Sequence, residues 1–368
     1  MFNKWVCVFS TFLLLACNAQ NQSITNGINF KTDSLLVSGI AFENLDKYKF
    51  TCYTANYNIN KDSSLSLLYL VNNSNIIDFN IFNGQIEKIE IPGGYSNISS
   101  ILSLNKNDFF YSLLNDNSDL NLYYVDTLKN MSLKLNELGS FKDNGIFVGS
   151  ELGFGYRLPI INDSEIIFYV LDDKNKGNTI AKYNIETNST SFYKFKLTKD
   201  FSRYCHPLRN SVKFELLGDS LFLNYEFSEK VDLFSLSKNK YLNSLKLKSK
   251  FQTNDIPALA NYNNDFENER YPIEAGYYSR LTYNPYKKCY YRLYYHDLPR
   301  LNGDGLYTIV SDKQVSLVVF DQNFDWIGEC IIDAKNYFAG IVPHPEGALS
   351  LFGNRHGENY YLSLVKHD

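Results

Sequence analysis

One strand-and-turn phrase returns six times along this chain. An alternating strand meets a tight polar turn, and a second strand rich in aromatics follows. A third strand then leads through another polar turn to a fourth. The third copy shows it best: 156–161 is strand a, Asn162-Asp163-Ser164 turns, 165–170 is strand b, 179–185 strand c and 190–197 strand d. The first copy runs 49–57, 64–71, 75–81 and 86–91, the second 97–104, 109–114, 120–125 and 131–135. The fourth runs 212–217, 221–227, 231–236 and 241–247, the fifth 278–283, 289–295, 315–320 and 326–331. The a–b turns centre on Asp62, Lys106, Asp163, Asp219, Tyr286 and Pro345, in steps of 44, 57, 56, 67 and 59 residues. Four antiparallel strands repeated every ~40–60 residues are the unit of a β-propeller blade.

The sixth copy has three strands, 338–342, 348–352 and 360–365, before the sequence ends. A spare strand lies near 30–39. Pairing it with the last copy removes an exposed sheet edge. The expectation is an all-β chain: a six-bladed β-propeller of four-stranded antiparallel blades over residues 29–368, its last blade closed by an N-terminal strand. Abundant Tyr (29) and Phe (27) suit strands, and Asn recurs at the gaps where turns belong.

The first residues carry a different signal. Lys4 precedes an apolar run from Trp5 to Ala16, closed by Leu14-Leu15-Ala16-Cys17. The run is too short to span a bilayer core of about 30 Å. It resembles the signal and lipobox of bacterial lipoprotein precursors, which implies a signal peptide over 1–16 and an acylated, palmitate-bearing Cys17. Residues 17–28 are small and polar and read as a tether. The anchor implied is the outer membrane. Asn18–Gln22 lacks the acidic run of surface-export signals, so the periplasmic side is expected. Of the remaining cysteines, Cys52, Cys205, Cys289 and Cys330 have no metal-ligand spacing and read as small buried apolar residues. Cys289 and Cys330 fall on strands b and d of one blade, too far apart to bridge.

Together with the lipobox, the block Leu281-Thr282-Tyr283-Asn284-Pro285-Tyr286-Lys287-Lys288-Cys289-Tyr290-Tyr291-Arg292 resembles six-bladed β-propeller lipoproteins of Bacteroidetes, a family of uncharacterised function. The resemblance supplies no catalytic residues.

Up-and-down strand order places the d–a and b–c connections on one face. The long ones are 139–155, 198–211 and 248–277 (d–a) and 296–314 (b–c). Long loops on a rigid scaffold are where binding concentrates. They and the adjoining strand ends supply the candidate binding residues Arg157, Arg203, His206, Arg209, Arg270, Tyr278, Arg280, His296 and Arg300. In 289–296, period two puts Cys289, Tyr291, Leu293 and Tyr295 on one side and Tyr290, Arg292, Tyr294 and His296 on the other. The bland reading of these tyrosines is packing between blades, with Arg292 over a ring.

Net charge is −4 with no basic stripe, so nucleic acid is not expected. There is no G-x-S-x-G elbow, H-E-x-x-H, phosphate loop or dinucleotide fingerprint, so no catalytic residue, metal or cofactor is assigned. The alternating Asn261, Asn263, Asp265, Glu267 and Glu269 read as a solvated loop rather than a calcium site. Asp33-Ser34-Leu35, Asp126-Thr127-Leu128 and Asp219-Ser220-Leu221 look like bacterial O-glycosylation acceptors, though edge turns give the same letters. Two functions follow. One is a monomeric, membrane-anchored binding or scaffold module that presents its long-loop face to a protein or glycan. The other is an extracytoplasmic hydrolase or lyase with His206, His296 and Arg280 at the channel mouth.

Overall fold

Period-two alternation becomes antiparallel pairing at every described strand. The computed structural model describes residues 23–25, 28–36, 52–59, 65–71, 75–80, 86–90, 98–103, 108–114, 120–126, 131–137, 146–148, 160–162, 165–172, 177–184, 186–187, 189–193, 212–256, 265–332, 337–353 and 360–368. Two strands come first, β1 (Ser23–Thr25) and β2 (Phe30–Leu36). The first sheet is β3 (Cys52–Ile59), β4 (Leu65–Val71), β5 (Asn75–Asn80) and β6 (Ile86–Glu90). The second is β7 (Ile98–Ser103), β8 (Asp108–Leu114), β9 (Leu120–Asp126) and β10 (Met131–Glu137).

In the third sheet β11 (Ile146–Val148) and β12 (Ile160–Asn162) both pair with β13 (Glu165–Asp172), followed by β14 (Gly177–Asn184) and β15 (Ser189–Phe192). The fourth is β16 (Val212–Leu217), β17 (Ser220–Tyr225), β18 (Lys230–Ser235) and β19 (Lys240–Lys246). Helix α1 (Asp265–Glu274) precedes the fifth sheet. There β20 (Tyr277–Tyr278) and β21 (Thr282–Asn284) share the partner β22 (Cys289–Tyr295), and β23 (Val315–Phe320) and β24 (Trp326–Ile332) follow. The last sheet is β25 (Tyr337–His344), β26 (Gly347–Gly353) and β27 (Tyr360–His367).

The N-terminal strand completes that last sheet. Strand β2 pairs antiparallel with β27, from Phe30 opposite His367 to Leu36 opposite Tyr361. The stretch read as a tether contains β1, which pairs with β24 from Ser23 opposite Cys330 to Thr25 opposite Gly328. The described residues thus form six antiparallel sheets, mostly in sequence order. Strand β3 lies alongside β7, β12 alongside β16, β16 alongside β21, β21 alongside β25, and β25 alongside β3. The chain is an antiparallel all-β protein.

From the third sheet to the last, successive sheets pack face to face among the described residues. Ile167, Ile180 and Tyr193 of the third meet Phe214, Leu221, Leu223 and Phe234 of the fourth. Phe222, Val231 and Leu247 meet Tyr278, Tyr290, Tyr294 and Val318 of the fifth. The opposite side of the fifth sheet, Cys289, Tyr291, Leu293 and Cys330, meets Ile341, Ala348 and Val365 of the last. The alternation expected for 289–295 therefore holds, and Tyr290 and Tyr294 pack between sheets. Burying each such side chain is worth roughly 1.5–3 kcal/mol. Cys289 and Cys330 are buried and free, with β23 between their strands. Burial pushes their thiols up to about 11 and about 12.

The block that carried the family resemblance builds these seams. Asn284 Nδ2 donates to Tyr291 Oη, His344 O and Gly347 O, at 2.9, 2.9 and 2.8 Å, joining the fifth sheet to the sixth. Its Oδ1 accepts from the backbone of Tyr286 and Lys287 and shapes the β21–β22 turn. Gly347 has φ +155°, and a Cβ there would come within 2.1 Å of Val365 O, so glycine is required where β26 meets β27.

Candidate functional site

Two of the long connections predicted to share a face come together at one end of the fifth sheet. Helix α1, from the 248–277 connection, packs beneath the 296–314 connection. Sequence reading took residues 261–269 as an alternating solvated loop. The structure instead places a helix from Asp265, and the alternating carboxylates disguised it.

Arg270 is the rivet of this clasp. It is buried, and its Nε donates to Glu274 Oε1 at 2.9 Å. Its Nη1 donates to Thr308 O at 2.6 Å, and its Nη2 to Thr308 Oγ1 at 3.0 Å and Arg300 O at 3.2 Å. Arg300 adds bonds to Glu274 Oε1 at 2.9 Å and Glu267 Oε2 at 2.6 Å. Burial pushes the Glu274 carboxyl up, but Arg300 and Arg270 outweigh it and hold the group below the usual carboxylate range. The bonds to Glu267 and Glu274 hold Arg300 above its ordinary value.

The connection is braced along its length. Leu298 N donates to Glu274 O, and Thr308 N to Arg300 O. Leu301 and Tyr307 form a β-bridge across a tip in which Asn302 Oδ1 accepts from Asp304 N and Leu306 N. Lys313 Nζ donates to Ala275 O at 2.9 Å and His296 O at 2.6 Å. At the base, Tyr277 and Tyr295 stack with centroids 4.3 Å apart.

This scaffold turns apolar side chains outward. Leu301 is 46 % exposed, Leu306 65 %, Tyr307 57 %, Ile309 47 % and Phe266 48 %. Phe266 and Tyr307 meet edge to face at 5.8 Å, and the Arg270 guanidinium lies 5.2 Å from the Tyr307 ring. Exposed apolar side chains on a monomer are ordinarily scattered singly rather than gathered on one braced support. Sequence reading missed these residues. The apolar letters flanking Asn302-Gly303-Asp304-Gly305 were the available signal, eclipsed by the charged ones.

The other candidates have defined places. Tyr278 is buried: its hydroxyl donates to Gln252 Oε1 at 2.5 Å and accepts from Ser249 N at 2.9 Å, and burial raises its pKa. His296 Nε2 lies 2.5 Å from Ser316 Oγ, its ring against Phe251 and Tyr294. Burial pushes His296 down to about 4, with Lys313 adding to the effect and Asp297 opposing it. Arg280 sits in the kink between β20 and β21, where its charge acts on Glu215. Arg270 and Arg300 thus meet in the clasp, while Tyr278 and Arg280 belong to the seam with the fourth sheet; the His296 ring lies with Phe251 and Tyr294 on that seam, and only its carbonyl is held by Lys313. Arg157, Arg203, His206, Arg209 and Cys17 lie outside the described residues. Asp219, in one acceptor-like tripeptide, accepts from Ser235 Oγ, Ser237 N and Ser237 Oγ and shapes a turn. Among the described residues no group of three His, Cys, Asp or Glu side chains is placed to hold a metal ion.

The model of a domain of unknown function, DUF4221, matches residues 128–331. The chain belongs to the DUF4221 family. The same family appears in the structural comparison: a DUF4221 member from Bacteroides vulgatus superposes with a TM-score of 0.68 at 14 % identity, covering 94 % of this chain and 99 % of that one. This agrees with the resemblance to a Bacteroidetes family of uncharacterised function. Looser matches include an oligogalacturonate lyase from Vibrio parahaemolyticus (TM-score 0.45, 12 % identity, 94 % of this chain and 98 % of that one). Another is the Cps50 (Swd1) β-propeller domain of Myceliophteria thermophila (TM-score 0.39, 10 % identity, 86 % and 97 %). No curated protein matches the sequence.

Proposed function

We propose that this DUF4221 protein is a six-bladed β-propeller, held outside the cytoplasm by acyl chains on Cys17, that acts as a binding or scaffold module through its long-loop face. The ring reading is supported by five neighbouring pairs of lead strands, β3 with β7, β12 with β16, β16 with β21, β21 with β25, and β25 of the last sheet with β3 of the first. The pairing of β2 with β27 supports closure of that ring by the N-terminal segment.

The observation that carries the binding reading is the clasp. Arg270, Arg300, Glu267 and Glu274 hold α1 and the 296–314 connection together, while five apolar side chains face outward. A rigid apolar surface associates without first losing loop entropy.

Co-sedimentation of full-length Cys17→Ser protein with isolated envelopes tests this. The unacylated protein is expected to retain measurable affinity for envelopes, and Leu306→Asp combined with Tyr307→Asp to abolish it. Equal sedimentation of the two proteins would defeat the reading. In parallel, the Cys17 form should remain with membranes when its source cells are fractionated, and a much larger share of the Cys17→Ser form should be released.

A further inference from the structure

Strand β1 begins at the end of the fifth sheet that carries the clasp. Ser23 lies opposite Cys330 and Thr25 opposite Gly328, so the first residue of β1 is the one nearer Ile332. Ile332 is opposite Val315, and Val315 is opposite Tyr295. Those two residues are the feet of the 296–314 connection. Tyr277, which follows α1, is opposite Tyr295 as well. Strand β1 is two strand spacings from β23, or about 10 Å from the nearer foot. Residues 17–22 reach at most ~20 Å when fully extended. Acyl chains on Cys17 would therefore hold this end of the fifth sheet close to the bilayer.

The geometry points to a second membrane contact: the apolar surface of the clasp rests in the interfacial layer of the bilayer that holds the Cys17 acyl chains. This rests on the lipid-anchored binding module proposed above and names its partner as a phospholipid surface. The side chains suit that layer. Tyr307 and Phe266 are aromatic, Leu301, Leu306 and Ile309 are aliphatic, and Tyr is favoured where an apolar body meets a wet edge. Exposed Asp304 and Asp312 stand beside them. Anionic headgroups would repel these carboxylates, so the contact is apolar, insensitive to salt, and matched to a zwitterionic surface. A lipid anchor joined to an apolar patch gives two membrane signals, and two hold a body far more firmly than one. The contact would also fix the orientation of the sheets, with the short a–b and c–d turns pointing away from the membrane.

Tryptophan quenching tests the contact, because the signal segment contains Trp5 and the mature chain keeps only Trp326. Trp326 begins β24, at the end of the strand remote from Ile332. Seven residues of strand place it roughly 20 Å from the clasp end, so it serves as an internal reference. Acylated, signal-cleaved protein carrying Leu306→Trp is incorporated into phosphatidylcholine–phosphatidylethanolamine vesicles, with and without brominated acyl chains. The added emission is expected to be blue-shifted and to fall at least twofold with brominated lipid, while Trp326 in the parent protein is unaffected. Ile309→Trp should behave alike. Protein that floats with vesicles but shows unquenched emission at both positions would overturn the membrane contact and leave the anchored module standing. So would quenching of Trp326 instead, or a clasp buried in a dimer of the detergent-solubilised protein. Failure to float would sink the lipid anchor itself, and the contact with it. Retained binding of the Cys17→Ser protein to envelopes but not to protein-free vesicles would assign the clasp to a protein or glycan and overturn the proposal.

Discussion

The guanidinium of Arg292 lies over the ring of Tyr278, 4.2 Å from its centroid, with both side chains fully buried. All five N–H groups of Arg292 find backbone carbonyls. Nε donates to Ser279 O, Nη1 to Glu229 O and Leu247 O, and Nη2 to Tyr225 O and Ser228 O. Four of the five oxygens belong to the fourth sheet or the segments beside it, so one side chain sews the fifth sheet to the fourth. Burial lowers its pKa to about 10, with Tyr278 and Glu229 opposing, which leaves it charged near neutrality.

Replacing Arg292 with Met roughly keeps the volume and takes a donor from each of those carbonyls, of which Glu229 O still accepts from Leu247 N. Each buried orphan costs about 1–3 kcal/mol, less where water enters, so a loss of about 3–5 kcal/mol is expected. Arg292→Lys should lose about 2 kcal/mol or more, because three donors cannot replace the planar fork or its stacking. Urea denaturation measures both. A midpoint unchanged in the Met variant would show that water satisfies the oxygens.

Glu215 makes a test by pH. Burial raises its carboxyl from 4.5 to about 7, against the pull of Arg280 and the bond from Tyr283 N. A carboxyl raised on folding favours the folded state below its unfolded pKa and loses that contribution as pH rises through the folded value. Stability attributable to Glu215 should therefore be full below about pH 4.5 and fall toward pH 7 and above. His296, depressed to about 4, works with the opposite sign: its contribution is full above pH 6.5 and is lost as pH falls toward 4. Glu215→Gln should flatten the decline on the alkaline side and leave the acid-side loss. A Gln variant with the parent's full pH profile of melting would refute the assignment.

Strand order was legible because period two survives in nearly every strand, from Ile160 to Val365, and because turns such as Gly218–Ser220 use the residues that turns demand. The split of the lead strand into β20 and β21 was not legible. It depends on Asn224 Oδ1 capturing Leu281 N and Ser279 Oγ capturing Leu293 N, contacts from 57 and 14 residues away. Strand β1 was hidden because three residues, Ser23-Ile24-Thr25, are too few to show alternation and read as tether until β24 offers them an edge. The charged candidates were found by type but not by role. Arg270 and Arg300 look like ligand-binding residues until their partners Glu274, Glu267 and Thr308 are seen.

Arg270 offers a test of the clasp as a cooperative unit. Arg270→Met removes its bonds to Thr308, Arg300 and Glu274 and leaves the helix free to form. A local loss of about 2 kcal/mol should speed amide exchange at Leu298, Leu306 and Thr308 by roughly 30-fold. Exchange at Leu293 and Leu317 in the sheet core should stay slow. Uniform acceleration would mean that Arg270 supports the whole fold rather than the clasp.

Closure is the sharpest test of the proposed ring. Residues 23–36 touch two sheets at once: β1 edges β24, and β2 edges β27 through seven residue pairs. Ile28, just before β2, and Phe30, its first residue, pack over Gly328, where a Cβ would come within 2.5 Å of Ile28 Cδ1. Without this segment, β27 and β24 would both present unpaired backbone. If the sheets form a closed circuit, the loss spreads to all of them. A chain beginning at Ala41 is therefore expected to melt as one cooperative transition lowered by ~10 °C or more, rather than fray at one end. Tyr361→Pro should act in the same direction, since it removes an N–H from a strand flanked by β2 and β26. A protein starting at Ala41 that melts like the parent would show that the sheets do not depend on the N-terminal strand for closure.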